Sequence, residues 1–284
     1  MNPEDGLITL ALAEDIGTGD ITTDALIAKE QTGRGVIVAK EDLIVCGIET
    51  VRRVFHAVDP DIRIDGACRD GDRIAAGATV MSASGRMGSL LKAERTALNF
   101  LQRLSGIATH VRTYVDALPG ETSTRLVDTR KTTPGWRALE KYAVRIGGAA
   151  NHRMGLYDGV LIKDNHIAAC GGVADAVARA RSGVHHLVKV EVEVSDFAQL
   201  AQALDAGADV IMLDNMPIAD VREAVRRIGG RALSEVSGNV SLKNLSALAA
   251  TGVDIISVGA LTHQARSVDL SMRIAAADQN LTNS

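Results

Sequence analysis

From about Thr124 onward, short β-branched runs alternate with stretches of helical spacing. The apolar runs are Arg125–Val127, Val160–Ile162, Val188–Val192, Val210–Leu213, Leu233–Val236 and Ile255–Val258. Short, nearly continuous apolar runs bounded by polar residues read as strands buried on both faces. Between them, Pro134–Ile146, Gly172–Ala180, Asp196–Ala206, Pro217–Ile228 and Leu242–Ala250 carry the helical pattern. Pro217 suits a first helical turn, Ser195 and Ser241 suit N-caps, and Gly207 and Gly252 sit where a helix would stop. Repeated strand–helix units predict a parallel sheet with right-handed crossovers. So many units in succession favour an α/β barrel over an open, doubly wound sheet.

The preceding part has a different texture. Leu7–Ala13 predicts a short helix, Gly35–Val45 a strand and Ile48–Val58 a helix. Ile62–Asp65 and Ala78–Ser82 predict short strands around the turn-rich Arg69-Asp-Gly-Asp-Arg segment. Gly88–Ser105 predicts the longest helix of this half, with Leu90, Leu91, Ala97, Leu98, Leu101 and Leu104 on one stripe. Glu94, Arg95, Gln102 and Arg103 fall off that stripe, so periodicity alone makes Arg95 a solvated helix charge. Gly17-x-Gly19 has no strand before it and no third glycine, so it reads as a plain loop rather than a nucleotide fingerprint.

Composition narrows the function classes. With three Phe, three Tyr and one Trp in 284 residues, the core must come from Val, Ile, Leu and Ala. The same scarcity argues against a stacking platform for single-stranded nucleic acid. A net charge of −4 argues against a phosphate-backbone partner. Cys46, Cys68 and Cys170 are far apart and form no C-x-x-C pair, which points to free thiols in a reducing compartment. The N-terminus lacks a basic segment followed by an apolar one, and no apolar run approaches a membrane span. A cytoplasmic protein without nucleic-acid or membrane partners is the expectation, with disorder signalled only at Asp278–Ser284.

Charge distribution singles out one stretch. Residues 125–166 hold eight Lys/Arg and four Asp/Glu, a net of +4 in a chain of −4, so the remainder carries −8. Polar groups follow each predicted strand: Arg130-Lys131, Lys163, Glu191-Val-Glu193, Asp214-Asn215, Glu235-Val-Ser237-Gly238 and Gly259 with His263. Parallel α/β folds place their chemistry at the C-terminal ends of strands. Arg130, Lys131, Arg153 and Lys163 suit carboxylates or phosphates. Glu193 and Asp214 are hard oxygen donors suited to Mg²⁺ held partly through a substrate's phosphates. Ser237-Gly238 and Gly259 allow close backbone approach to a phosphate. The set implies a phosphorylated sugar with Mg²⁺ on one side and a carboxylated partner on the other. Blander readings exist for single members: Lys163 as a structural ion pair, Glu193 paired with Lys189, Asp214 as an N-cap. Lys163 also fits a Schiff-base aldolase on the same barrel, although the Arg/His cluster around it does not.

Several motifs together carry a family likeness. Asp128-Thr-Arg-Lys-Thr-Thr-Pro-Gly, Glu140-Lys-Tyr-Ala-Val, Asn151-His-Arg-Met-Gly-Leu-Tyr-Asp, Val160-Leu-Ile-Lys-Asp-Asn-His and Glu235-Val-Ser-Gly resemble the quinolinate phosphoribosyltransferases, also called nicotinate-nucleotide pyrophosphorylases. Glu94-Arg-Thr-Ala-Leu-Asn, Leu104-Ser-Gly-Ile-Ala-Thr and Gly17-Thr-Gly-Asp-Ile-Thr extend the resemblance over nearly the whole chain. It implies an N-terminal α/β sandwich, residues 1–108 joined by a returning segment 267–284, and an α/β barrel of seven strands over 109–266. It implies transfer of a phosphoribosyl group from 5-phosphoribosyl-1-pyrophosphate to quinolinate with Mg²⁺, releasing pyrophosphate and CO₂ in NAD biosynthesis. By resemblance, Arg130, His152, Arg153 and Lys163 hold the quinolinate carboxylates, and Lys131 lies between the substrates. Glu193 and Asp214 serve the ribose and Mg²⁺; Ser237, Gly238, Gly259 and His263 serve the phosphate. Arg95 reaches the site of a second subunit, so the implied working unit is at least a homodimer, with a hexamer as the larger alternative. Two departures stand out: Ala149-Ala150 where the family usually has glycine and histidine, and Asn239 where it has a glycine. A related transferase acting on another acceptor and a silent binding protein are the remaining alternatives.

Overall fold

The computed structural model describes residues 3–276, so the expectation for Asp278–Ser284 falls outside the described residues. In chain order its elements are α1 (Pro3–Ile16), α2 (Ile21–Leu26), β1 (Thr32–Ala39), β2 (Leu43–Ile44), α3 (Ile48–Val58), β3 (Arg63–Ala67), β4 (Arg73–Ile74), β5 (Thr79–Arg86) and α4 (Met87–Asp116). They continue as β6 (Arg125–Val127), α5 (Arg137–Gly147), β7 (Val160–Ile162), α6 (Asp164–Cys170), α7 (Val173–Gly183), β8 (Val190–Val194), α8 (Phe197–Asp205), β9 (Val210–Asp214) and α9 (Ile218–Ile228). The last are β10 (Leu233–Ser237), α10 (Leu242–Ala249), β11 (Ile255–Ser257), α11 (Ala260–His263) and β12 (Leu270–Ala276). They group into two compact units: residues up to 112 with 133–148 and from 265 on, and residues 113–132 with 149–264.

The first unit is built on an antiparallel sheet in the order β12-β1-β5-β3. Central β1 alternates, burying Gly33, Gly35, Ile37 and Ala39. Gly33 is held to glycine by backbone, since a Cβ there would meet the Ala275 carbonyl oxygen at 2.8 Å, whereas a Cβ on Gly35 would displace the flexible Met272 methyl, 2.0 Å away. Phe55, Phe100, Leu90, Leu98, Leu101 and Leu104 fill the core with almost no exposure. Helix α4 is 30 residues long, not the 18 or so expected from Gly88–Ser105. Its apolar stripe continues through Ile107, Ala108, Val111 and Tyr114. Gly106 is not a stop: a Cβ there would lie 2.1 Å from the Arg266 carbonyl oxygen, so the glycine admits the crossing backbone. Beyond that crossing, β12 pairs with β1 from Leu270 against Ala39 to Ala276 against Gly33.

Gly17–Gly19 is a turn, but a helix follows that the sequence reading did not contain. The Asp20 carboxylate accepts from Thr22 N (3.1 Å) and Thr23 N (3.0 Å) and so opens α2.

The second unit carries a wholly parallel sheet in the order β6-β11-β10-β9-β8-β7. From β7 to β11 each strand joins the one before it, and the first strand pairs with the last. There is no reversal of winding, as a doubly wound sheet would require. On the free edge of β6, Ala150 makes a one-residue parallel bridge to Val127. Strand ends agree with the sequence pattern at β6 and β7 and shift by one or two residues elsewhere. One cap differs: Asp196, not Ser195, opens α8 by accepting from Gln199 N at 2.8 Å, while Ser195 donates to the Gln199 side chain. Ser241 does cap α10, its N–H donating to Asn244 Oδ1 at 2.8 Å. Among the described residues no helix is long and apolar enough to cross a membrane.

Candidate active site

The pleat and register of the parallel strands sort the side chains. On β8, Val190, Val192 and Val194 point to one face and Glu191 and Glu193 to the other. Glu193 is in register with Met212, Met212 with Glu235, and Asp214 with Ser237. The apolar set lies with Leu200, Ala203, Ile211, Leu213, Val221 and Ala224 in the core. The opposite face carries Glu191, Glu193, Asp214, Glu235 and Ser237, with the most C-terminal of them half-buried at the strand ends.

Three clusters meet there. In the first, Lys163 follows β7 and is ion-paired with Glu193 at the end of β8. That pairing replaces the Lys189 alternative for Glu193. The Lys163 N–H donates to His166 Nδ1 at 3.0 Å, which fixes the turn into α6.

In the second, Asp214 accepts from the Asn215 side chain at 2.8 Å and Asn239 Nδ2 donates to Asn215 Oδ1 at 3.0 Å. Asn215 and Asn239 hold φ of 53° and 51°, the left-handed region that asparagine tolerates best after glycine. Asn239 therefore keeps the conformation a glycine would have there. Gly238, at φ 85°, cannot be replaced so simply: its Cβ would stand 2.2 Å from Asn215 Oδ1. The Asp214 N-cap alternative does not hold, because Pro217 occupies the N-cap of α9.

In the third cluster, Lys131 lies over Gly259. A Cβ on Gly259 would meet Lys131 Cδ at 2.8 Å and His263 Nε2 at 3.3 Å, while Thr262 Oγ1 donates to the Lys131 carbonyl at 2.7 Å.

Beside these sits the segment Asn151-His152-Arg153. Buried Asp128 holds it, accepting from Asn151 Nδ2 at 2.6 Å and from the His152 N–H at 2.9 Å. Arg153 is half-buried and donates from Nη1 to the Gly159 carbonyl at 2.8 Å. Burial, and then the neighbouring Arg130, lower the Arg153 pKa, while Glu191 and Asp158 oppose the shift. Arg130 is exposed beside half-buried Arg153, and two guanidinium groups close enough to repel form a site that an arriving dianion would relieve.

Below them, His152 Nε2 is 3.1 Å from Glu191 Oε2 and 3.6 Å from Glu235 Oε1. Burial, and next the charge of Glu191, push Glu235 up to about 7, against the opposing effect of His152. Glu191, Glu235, Asp128, Asn151 and Asn215 lie within the strand-end and family motifs, but the sequence assigned them no role. The signal available was an ionisable residue at every second position of a buried strand, as in Glu191-Val-Glu193 and Glu235-Val-Ser237. Of the predicted set, Arg130, Lys131, His152, Arg153, Lys163, Glu193, Asp214, Ser237, Gly238, Gly259 and His263 all belong to the second unit. Arg95 belongs to the first unit, exposed on α4.

Comparison with known proteins decides the family. Residues 20–105 match the N-terminal domain model of quinolinate phosphoribosyl transferase, and residues 107–273 match its C-terminal domain model. The chain belongs to this family. A "probable nicotinate-nucleotide pyrophosphorylase [carboxylating]" of Bacillus subtilis is 44% identical over 268 residues, covering 94% of this chain and 92% of the relative. A "quinolinate phosphoribosyltransferase [decarboxylating] 1" of Nicotiana glauca is 41% identical over 288 residues, covering 95% and 81%. The crystal structure of NadC from Streptococcus pyogenes superposes with a TM-score of 0.93 at 42% identity, covering 96% of this chain and 97% of that one. The mixed α/β expectation, a sheet-bearing first part and a parallel α/β second part, agrees with these matches.

Proposed function

We propose that this chain transfers the phosphoribosyl group of 5-phosphoribosyl-1-pyrophosphate to quinolinate, giving nicotinate mononucleotide, pyrophosphate and CO₂, a step of NAD biosynthesis. The observation that carries this reading is the arrangement at the strand ends of the second unit. Lys163 is paired with Glu193, Arg153 lies near Arg130, Lys131 packs over Gly259, and Asp214 and Gly238 both lie against Asn215. The family match and the names of the relatives agree with it.

The residues can be given roles from their charge. Arg130, Arg153 and Lys163 face the two quinolinate carboxylates, Arg153 already oriented by Gly159. Lys131 lies where the acid and the pyrophosphate meet. Ser237, Gly238, Gly259 and His263 receive the 5-phosphate, and Glu193 and Asp214 face the ribose. The same two carboxylates fit Mg²⁺: they are oxygen donors, half-buried, and too few for a closed cage, which suits an ion bound partly through substrate phosphates. When bound, Mg²⁺ would supply charge neutralisation for the departing pyrophosphate.

The chain's own work is positioning and electrostatics. The pyridine nitrogen attacks C1 of the ribose as the C1–O bond to pyrophosphate breaks. Alkylation leaves the ring cationic, so the bond to the 2-carboxylate releases CO₂ and its electron pair stays on the ring carbon, which then takes a proton. No protein nucleophile is required, and the Lys163 ammonium is already engaged by Glu193, which disfavours the aldolase alternative.

We also infer a working dimer in which Arg95 of one copy serves the site of the other, and a parallel strand set that closes into a barrel. A cytoplasmic setting fits three free cysteines suited to a reducing compartment. Mixing inactive Arg95→Ala and Arg153→Ala proteins should restore part of the activity; no restoration would remove the shared site. The main test incubates the protein with quinolinate, phosphoribosyl pyrophosphate and Mg²⁺. Nicotinate mononucleotide and CO₂ should appear in equal amounts and vanish with EDTA. Failure to form either product would remove quinolinate as the acceptor.

A further inference from the structure

Beneath the strand-end cations, His152, Glu191 and Glu235 form a buried group that the reaction above does not use. One ligand-type atom from each lies within 4.8 Å of the others. Glu191 is 6% exposed and Glu235 1%. Glu191 Oε1 and Glu235 Oε1 have no hydrogen-bond partner, although buried polar atoms are nearly always satisfied. Two carboxylates and an imidazole this close admit two readings: a divalent-cation site, or an internal hydrogen-bonded unit.

The tautomer of His152 separates them. The Arg153 N–H points at His152 Nδ1 from 2.8 Å. That nitrogen therefore accepts and carries no proton. In the neutral ring the proton sits on Nε2, which faces Glu191 Oε2 at 3.1 Å and donates to it. An Nε2 that bears hydrogen has no lone pair for a metal. It also has no donor left over for a substrate carboxylate, because both ring nitrogens are engaged inside the protein.

We propose that His152 is a positioning residue: a neutral Nε2–H imidazole, anchored on Glu191 with Glu235 behind it, that fixes the backbone at Arg153. The proposal rests on the phosphoribosyltransferase reading for what Arg153 then binds. Arg153 has its N–H held by His152 and its guanidinium held by Gly159. Asp128 fixes the same segment one residue earlier through Asn151 and the His152 N–H. The carboxylate-binding work falls to the guanidinium groups and Lys163, and the imidazole sets where one of the guanidinium groups stands. A displacement of about 1 Å at such a group can cost on the order of a hundredfold in rate.

The test is ¹⁵N NMR of the full-length protein labelled at histidine, with the His152 signal assigned by its loss in His152→Asn. The expected spectrum at neutral pH shows the neutral Nε2–H tautomer in wild type and in Glu235→Gln, which keeps the shape of the buried side chain. Adding Mg²⁺, Mn²⁺ or Zn²⁺ should leave that signal in place. An Nδ1–H tautomer, a doubly protonated ring, or a metal-induced shift of His152 would overturn the proposal, the last in favour of a cation site. This readout needs no turnover, so it stands even if quinolinate proves to be the wrong acceptor. Kinetics supply the second arm. Glu191→Ala should raise KM for the acceptor acid about tenfold or more while kcat changes less, and Glu191→Gln, which retains an acceptor oxygen, should recover most of the loss. An equal fall in kcat with unchanged KM would place His152 at the reacting atoms and contradict a positioning role.

Discussion

Glu140 in the first unit and Glu235 in the second are both buried glutamates, at 0% and 1% exposure, yet their surroundings differ completely. Glu140 Oε1 accepts from Arg103 Nη2 at 2.8 Å and from Thr133 Oγ1 at 2.8 Å, and its Oε2 accepts from Thr133 N at 3.2 Å. Arg103 in turn donates to the Ala265 carbonyl. That network ties α4, the start of the 133–148 segment and the returning chain with every charge matched. Glu235 has a second carboxylate as neighbour, an oxygen without a partner, and an imidazole that is already committed. A matched buried charge holds a fold together, whereas an unmatched one costs stability and persists where a site requires it.

Mutations can break or sharpen that contrast. The largest stability effect should come from Glu140→Ala, which strands Arg103 in a mostly buried position. Denaturant unfolding should show a loss of about 3–5 kcal/mol. Lys163→Ala should act in the opposite manner. Its ion pair is partly exposed, with Lys163 at 44%, so the melting temperature should hardly move. Its kcat/KM should fall by at least about a hundredfold, because the lost charge faces the substrates. Asn239→Gly should be the mildest, within about 1 kcal/mol, since glycine accepts the left-handed backbone and only the 3.0 Å bond to Asn215 is lost. A large loss there would mean that the Asn215–Asn239 bridge shapes the site more than the backbone does.

Much of this was legible from residues alone. The strands β6 and β7 and helix α3 follow directly from runs whose ends are marked by polar residues. The strand-end place of Lys163 was legible because it directly follows the apolar run Val160–Ile162, while its ion pair with Glu193 was left open, since the sequence also offered Lys189 to that carboxylate. What was hidden depends on the fold's own contacts. Gly106 looks like a helix stop until the chain near Arg266 crosses it. Strand β12, Leu270-Ser-Met-Arg-Ile-Ala-Ala, has too mixed a pattern to announce pairing with β1. Ser195 and Asp196 are both good caps, and only backbone geometry chooses the second. Glu191 and Glu235 look like the solvent side of an alternating strand, and only burial of both faces shows that they are inside.

The contrast between the two glutamates is tested most directly by the stability of wild type and Glu235→Gln as a function of pH. Glu235 has its pKa raised from an ordinary 4.5 to about 7, so the folded protein holds that proton more tightly than the unfolded chain. The resulting stabilisation is complete below about 4.5 and is lost as pH rises through about 7. Wild type and variant should therefore melt together near pH 5. Above pH 7 the variant should gain a few degrees on wild type, because it never acquires the unmatched charge. Parallel curves across that range would contradict the account and show that Glu235 is matched, as Glu140 is.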